Sequence, residues 1–160
     1  MFTLHCTKTL LERIKGPIVA VPPVPTTVLG NWYATVLFWK PQVALLVNER
    51  TLLPVLLPLA PAGTLAERFP GQLAEVLSAL NVDPNFIANE VGAMSQWSMA
   101  KTANRSVLGT MNEFAFLADG YRDLMEEPDL QTLTIRLTDT PCSPLKYSSP
   151  AQALREIVAG

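Results

Sequence analysis

The chain has 160 residues, 49% of them hydrophobic and only 16% charged, with a net charge of −2. That is enough for one well-cored domain and too little for two, and the balance is the reverse of a disordered chain's. No apolar run approaches the roughly 18–20 residues that span a bilayer. Twelve scattered Lys and Arg make no basic stripe, which disfavours nucleic acid and membrane surfaces as partners. The N-terminal "MFTLHCTKTLLERIKG" has its basic residues after the apolar ones, the wrong order for a signal peptide.

In chain order, "FTLHC" at 2–6 alternates as a first strand, and Thr7 is positioned to cap a short helix with Leu10, Leu11 and Ile14 inward. "GPIVAVPPVPTT" at 16–27 holds four prolines and reads as an extended surface loop. Residues 31–40, 41–48 and 51–60 read as a strand meander, whose "NERT" turn leaves Glu49 and Arg50 in solvent. Pro54 and Pro58 make the 51–60 strand an edge or a bulged strand.

Thr64 and Glu67 match a capping box for a helix over 64–81, and Asp83-Pro84 starts a second over 83–94. A short strand at 95–102 leads into a helix over 105–126. The alternation of Leu133, Ile135 and Leu137 predicts a strand at 130–139. A proline-rich irregular stretch follows, then a helix capped by Ser149 and opened by Pro150.

These elements predict a single domain over residues 1–160, of α+β class, with a mainly antiparallel sheet of about five strands and helices on one face. The 51–60 edge and the aromatic 31–40 strand leave room for a homodimer interface.

"NWYATVLFW", "VNERTLLPVLLP", "KTANRSVLGTMNEF" and "PCSPLKYSSP" resemble an uncharacterised bacterial family of small single-domain proteins. That family shows patterns of the type C-T-x-x-L-L, N-E-R-T-L-L-P and N-R-S-V-L-G-x-M-N. The resemblance implies one bacterial, cytosolic domain, with no activity, substrate or catalytic residue attached.

Two cysteines and one histidine are too few for a structural zinc site, so Cys6 and Cys142 read as buried reduced thiols and no metal or cofactor is expected. No phosphate loop, dinucleotide fingerprint or hydrolase elbow is present.

The stretch 101–114, "KTANRSVLGTMNEF", concentrates the polar residues. On a helix, Arg105, Gly109 and Asn112 share one edge, and Asn112 is expected inside the apolar stripe, beside Met111 and Ala115. One reading is a ligand site for a small anion, built from Lys101, Asn104, Arg105, Asn112 and Glu113 at a helix mouth. The other is structural: Asn104 as cap, Arg105 paired with a carboxylate, Asn112 holding a strand carbonyl, and Gly109 admitting a close neighbour.

His5 could serve as a general base, although a lone histidine is more often structural. Three functions follow as expectations. The first is a non-enzymatic binding or interaction protein that self-associates. The second is an enzyme acting on a phosphate- or carboxylate-bearing substrate, and the third a nucleic-acid-associated module.

Overall fold

The computed structural model describes all residues, 1–160. Five strands form one sheet in the order β4-β3-β2-β1-β5. They are β1 (Phe2–Cys6), β2 (Trp32–Leu37), β3 (Val43–Asn48), β4 (Pro54–Pro58) and β5 (Trp97–Lys101). Six helices accompany them: α1 (Lys8–Ile14), α2 (Leu65–Ala79), α3 (Pro84–Gly92), α4 (Arg105–Asp123), α5 (Leu130–Leu137) and α6 (Pro150–Ala159).

The class is α+β, but the sheet is mixed. β2, β3 and β4 are antiparallel, as the meander predicts, whereas β1 runs parallel to both β2 and β5. A parallel neighbour requires a crossover. The first is α1 with the proline-rich segment behind it, and the second is the α2–α3 pair, which delivers β5 to the far side of β1.

The helices occupy both faces rather than one. On the first, Leu10, Phe69, Leu73, Val76, Leu77 and Leu154 close over Phe2, Leu4, Trp32 and Leu46. On the second, Val107, Met111, Phe114 and Ala118 of α4, with Leu133 and Leu137 of α5, close over Tyr33, Leu45, Val47 and Leu56. β3 shows why one face could not suffice. All six of its residues are buried, so each side of that strand needs its own cover.

The 130–139 segment is the helix α5, not a strand. Asp129 caps it, with a carboxylate oxygen accepting from the Thr132 amide at 2.9 Å. Its place along β4 closes that edge. The amides of Val55 and Leu57 face β3, so positions 54, 56 and 58 face outward. Pro54 and Pro58 have no N–H, and the Leu56 amide donates to Thr134 Oγ1 at 3.1 Å. The expected edge strand therefore offers no donor to another chain.

The Thr64 capping box does not form. Thr64 Oγ1 instead accepts from Arg68 Nε at 3.0 Å and donates to the Pro61 carbonyl at 3.0 Å.

The "NERT" turn is likewise not simply solvated. A Glu49 carboxylate oxygen accepts from the Asn31 amide at 2.9 Å, and an Arg50 guanidinium nitrogen donates to the Val28 carbonyl at 2.6 Å. Both lie against Gly30, whose φ of +76° suits glycine. A Cβ there would stand 2.7 Å from the Glu49 oxygen, so a larger residue would also have to displace the ends of the Glu49 and Arg50 side chains.

Candidate functional site at the carboxyl ends of β1 and β5

Where β1 ends, the chain turns into α1 on the first face; where β5 ends, it turns into α4 on the second. Adjacent parallel strands whose following helices diverge leave a crevice beyond their carboxyl ends, the usual place for a ligand in open sheets. α4 deepens it by running away from β5 to pack on β2 and β3. The second face of β1 and β5 is thus left to Thr3, His5, Ser98 and Ala100.

Thr3 and Ser98 satisfy each other through a hydroxyl–hydroxyl hydrogen bond of 2.8 Å. His5 does not close in the same way. Its ring stacks on Tyr33 with centroids 4.6 Å apart, and Nδ1 lies 2.8 Å from the Lys101 carbonyl. A carbonyl only accepts, so Nδ1 carries a proton, and in the neutral form of the ring the lone pair lies on Nε2. That nitrogen has no protein partner.

His5 is 7% exposed and lines a cleft of about 390 Å³. The opposite wall comes from the proline-rich segment, through Ile18, Val19, Ala20 and Pro22. This strap is pinned by the Val19 amide, which donates to the Met99 carbonyl at 2.8 Å. Burial raises the Tyr33 phenol above its usual range, opposed by the Asn104 and Ala103 amides.

A second cleft, of about 450 Å³, lies on the other side of the same ridge and is lined by Cys6, Lys8, Leu11, Lys101 and Thr102. Lys101 and Thr102 belong to both clefts. Lys8 and Lys101 are exposed and in no ion pair, and no carboxylate lines either cleft.

The polar line of 101–113 divides. Lys101 lines both clefts. Asn104 caps α4, its side-chain oxygen accepting from the Ser106 and Val107 amides at 2.9 and 3.2 Å. Arg105 is exposed and does not form the carboxylate pair of the structural reading. Asn112 and Glu113 lie about 10 Å further along the helix, outside both clefts.

Asn112 is exposed, not inside the apolar stripe. The buried stripe runs through Val107, Met111, Phe114 and Ala118. The line of Arg105, Gly109, Asn112 and Phe116 exists, but it points away from the sheet. The polar residue that does face the core is Thr110, which donates to the Ser106 carbonyl at 3.2 Å.

Gly109 meets no neighbour either: a Cβ there would have nothing within 4 Å. Gly109→Ala is therefore expected to raise stability by about 0.5–1 kcal/mol, through helix propensity alone. A chemical denaturation midpoint measures this, and a loss of stability would show a contact that the fold lacks.

Neither thiol is a nucleophile in this state. Both are free and buried. Burial pushes Cys6 up to about 12, while burial and then the Glu113 charge push Cys142 up to about 11.

Sequence reasoning considers His5 only as a general base and misses Lys8 and the crevice that the two flank. The missing signal was the parallel pairing of β1, since a histidine at the end of a strand that opens a crossover sits at a crevice.

Fold and crevice define a mixed-sheet α+β domain with a ligand-sized opening where two parallel strands end. The chain belongs to the family described as domain of unknown function (DUF6933), which matches residues 3–153. No curated protein and no solved structure matches it. No helix is long and apolar enough to cross a membrane.

Proposed function

We propose that the chain is a cytosolic bacterial binding protein for a small anionic ligand, which docks where β1 and β5 end. The observation that carries this reading is His5. It is a buried ring with one nitrogen committed to the Lys101 carbonyl and the other left without a partner beside a cleft. Nε2 opens onto the cleft without a protein partner, so a ligand seated there can take up this acceptor in place of water. The preference for an anion follows from Lys8 and Lys101, unpaired and with no carboxylate in either lining.

Within the polar line, Lys101 is the direct contact. Arg105 adds charge at the helix mouth, Asn104 orders that mouth by capping it, and Asn112 and Glu113 contribute least.

An enzyme acting on a phosphate- or carboxylate-bearing substrate is the second reading, and the same lone pair favours it, because a free imidazole nitrogen can carry a proton. A nucleic-acid role would require salt-sensitive binding to an oligonucleotide. Self-association is part of the proposal only through surfaces other than the β4 edge, whose outward donors are already used.

A thermal-shift titration with inorganic phosphate and with acetate tests the binding reading on wild type, Lys101→Ala and Asn112→Ala. Stabilisation of wild type and Asn112→Ala, with the response lost in Lys101→Ala, is the expected result. Equal responses in all three, or none in any, would overturn it.

A further inference from the structure

We propose that the ligand is bipartite: an anionic head held between Lys8 and Lys101, joined to an apolar body whose single hydrogen-bond donor meets His5 Nε2. This rests on the anion-binding reading above and assigns the chemistry of the rest of the ligand.

The register separates the two halves. Cys6 pairs with Lys101 and His5 with Ala100, so the Lys101 side chain leaves the sheet on the Cys6 face and the His5 ring on the other. Lys8 follows Cys6 into α1 and shares the second cleft with Lys101. A compact anion at the two ammonium groups would therefore leave the His5 cleft unfilled. A longer ligand crosses the shared ridge at Lys101–Thr102 and enters both.

The walls specify the second half. Ile18, Val19, Ala20 and Ala100 make the His5 cleft chiefly apolar, and Ile18 is still 44% exposed, so an apolar group there would cover surface now facing water. His5 offers this cleft an acceptor at Nε2, because the Nδ1–H is already given to the Lys101 carbonyl. A ligand group that only accepts would leave that lone pair opposed, whereas a hydroxyl or N–H satisfies it.

The test titrates the full chain with three probes by calorimetry: inorganic phosphate, hexyl phosphate and 6-hydroxyhexyl phosphate. Hexyl phosphate is expected to bind at least about tenfold more tightly than inorganic phosphate, from apolar burial. The terminal hydroxyl is expected to add about three- to tenfold. Lys101→Ala should weaken all three, and His5→Phe, which keeps a ring against Tyr33, should erase only the hydroxyl's gain.

Should His5→Phe fail to fold, the His5 Nε2 resonance of the wild type decides. It is expected to move with 6-hydroxyhexyl phosphate and to stay in place with inorganic phosphate. Equal affinity for the three probes, all lost in Lys101→Ala, would overturn the bipartite ligand and leave the anion site standing. No binding of any probe would overturn both.

Discussion

Asn48→Ala is expected to cost about 3–5 kcal/mol of stability, a large share of the 5–15 kcal/mol that holds a domain of this kind folded. Asn48 ends β3 with no exposed surface, and its side chain joins two segments. Its Nδ2 donates to the Leu29 carbonyl at 2.8 Å and the Asn31 carbonyl at 3.3 Å. Its Oδ1 accepts from the Arg50 amide at 3.1 Å, the Thr51 amide at 2.9 Å and the Thr51 hydroxyl at 3.0 Å.

Truncation leaves several buried groups unpaired at about 1–3 kcal/mol each, partly relieved by relaxation. It also releases the turn that holds Leu52 in the left-handed region at φ 59°. Urea denaturation measures the loss. Asn48→Asp keeps the acceptor but removes both donors and buries a charge, so it is expected to be no milder. A loss below about 1 kcal/mol for Asn48→Ala would mean that the hub is not a hub.

Glu90→Ala is the second large effect, expected at about 2–4 kcal/mol at neutral pH. Glu90 is 2% exposed, and its two carboxylate oxygens accept from the Val28 amide at 2.8 Å and the Leu29 amide at 3.0 Å. Alanine orphans both amides and unfastens the end of the strap whose other end walls the His5 cleft.

The pH dependence has a definite sign. Burial raises the Glu90 carboxyl above its ordinary 4.5, outweighing the Leu29 and Val28 amides and the Arg50 charge. The folded state therefore holds this proton more tightly than the unfolded one. The stability this linkage contributes is fully present below 4.5 and is lost as pH rises through the raised folded value.

Glu90→Gln has no such proton, so the margin of wild type over Glu90→Gln is expected to widen as pH falls from 7 towards 4.5. Asp129, lowered by its two bonds from Thr132, works in the opposite sense but is common to both proteins and cancels. A margin that narrows on acidification would contradict the burial of Glu90.

Much of the element order is legible in the sequence because its signals are local. Alternation marks β1, Asp83-Pro84 opens α3, Asn104 caps α4 and Ser149 caps α6, and all four work over a few residues. What fails is whatever depends on a distant partner. α5 was expected as a strand because Leu133, Ile135 and Leu137 alternate. In an eight-residue helix the same residues can serve two cores, with Leu133 and Leu137 facing one and Ile135 the other.

The direction of β1 is set by pairing with β5, more than ninety positions away, and no local pattern carries it. Glu90 looks like a solvent-facing residue of α3 until the strap from Val28 and Leu29 is laid across it.

The candidate site follows the same division. Asn104 as a cap is a local fact and stands in the structure. Asn112 was assigned to the core by counting neighbours at 111 and 115, but the helix presents it about 100° past Met111, on the solvent side. His5 shares its strand face with Thr3 by simple alternation, yet its role depends on Lys101 and Tyr33, which only the assembled sheet brings to it.

The central claim is that His5 presents a free Nε2 acceptor to a ligand cleft at the end of β1. Long-range proton–nitrogen correlation of the single histidine, with inorganic phosphate and then 6-hydroxyhexyl phosphate added, tests it most directly. The predicted spectrum of the free protein is that of the Nδ1–H tautomer, with an Nε2 resonance that shifts only when the hydroxyl-bearing probe binds. An Nε2–H tautomer, or an Nε2 resonance indifferent to both probes, would contradict it.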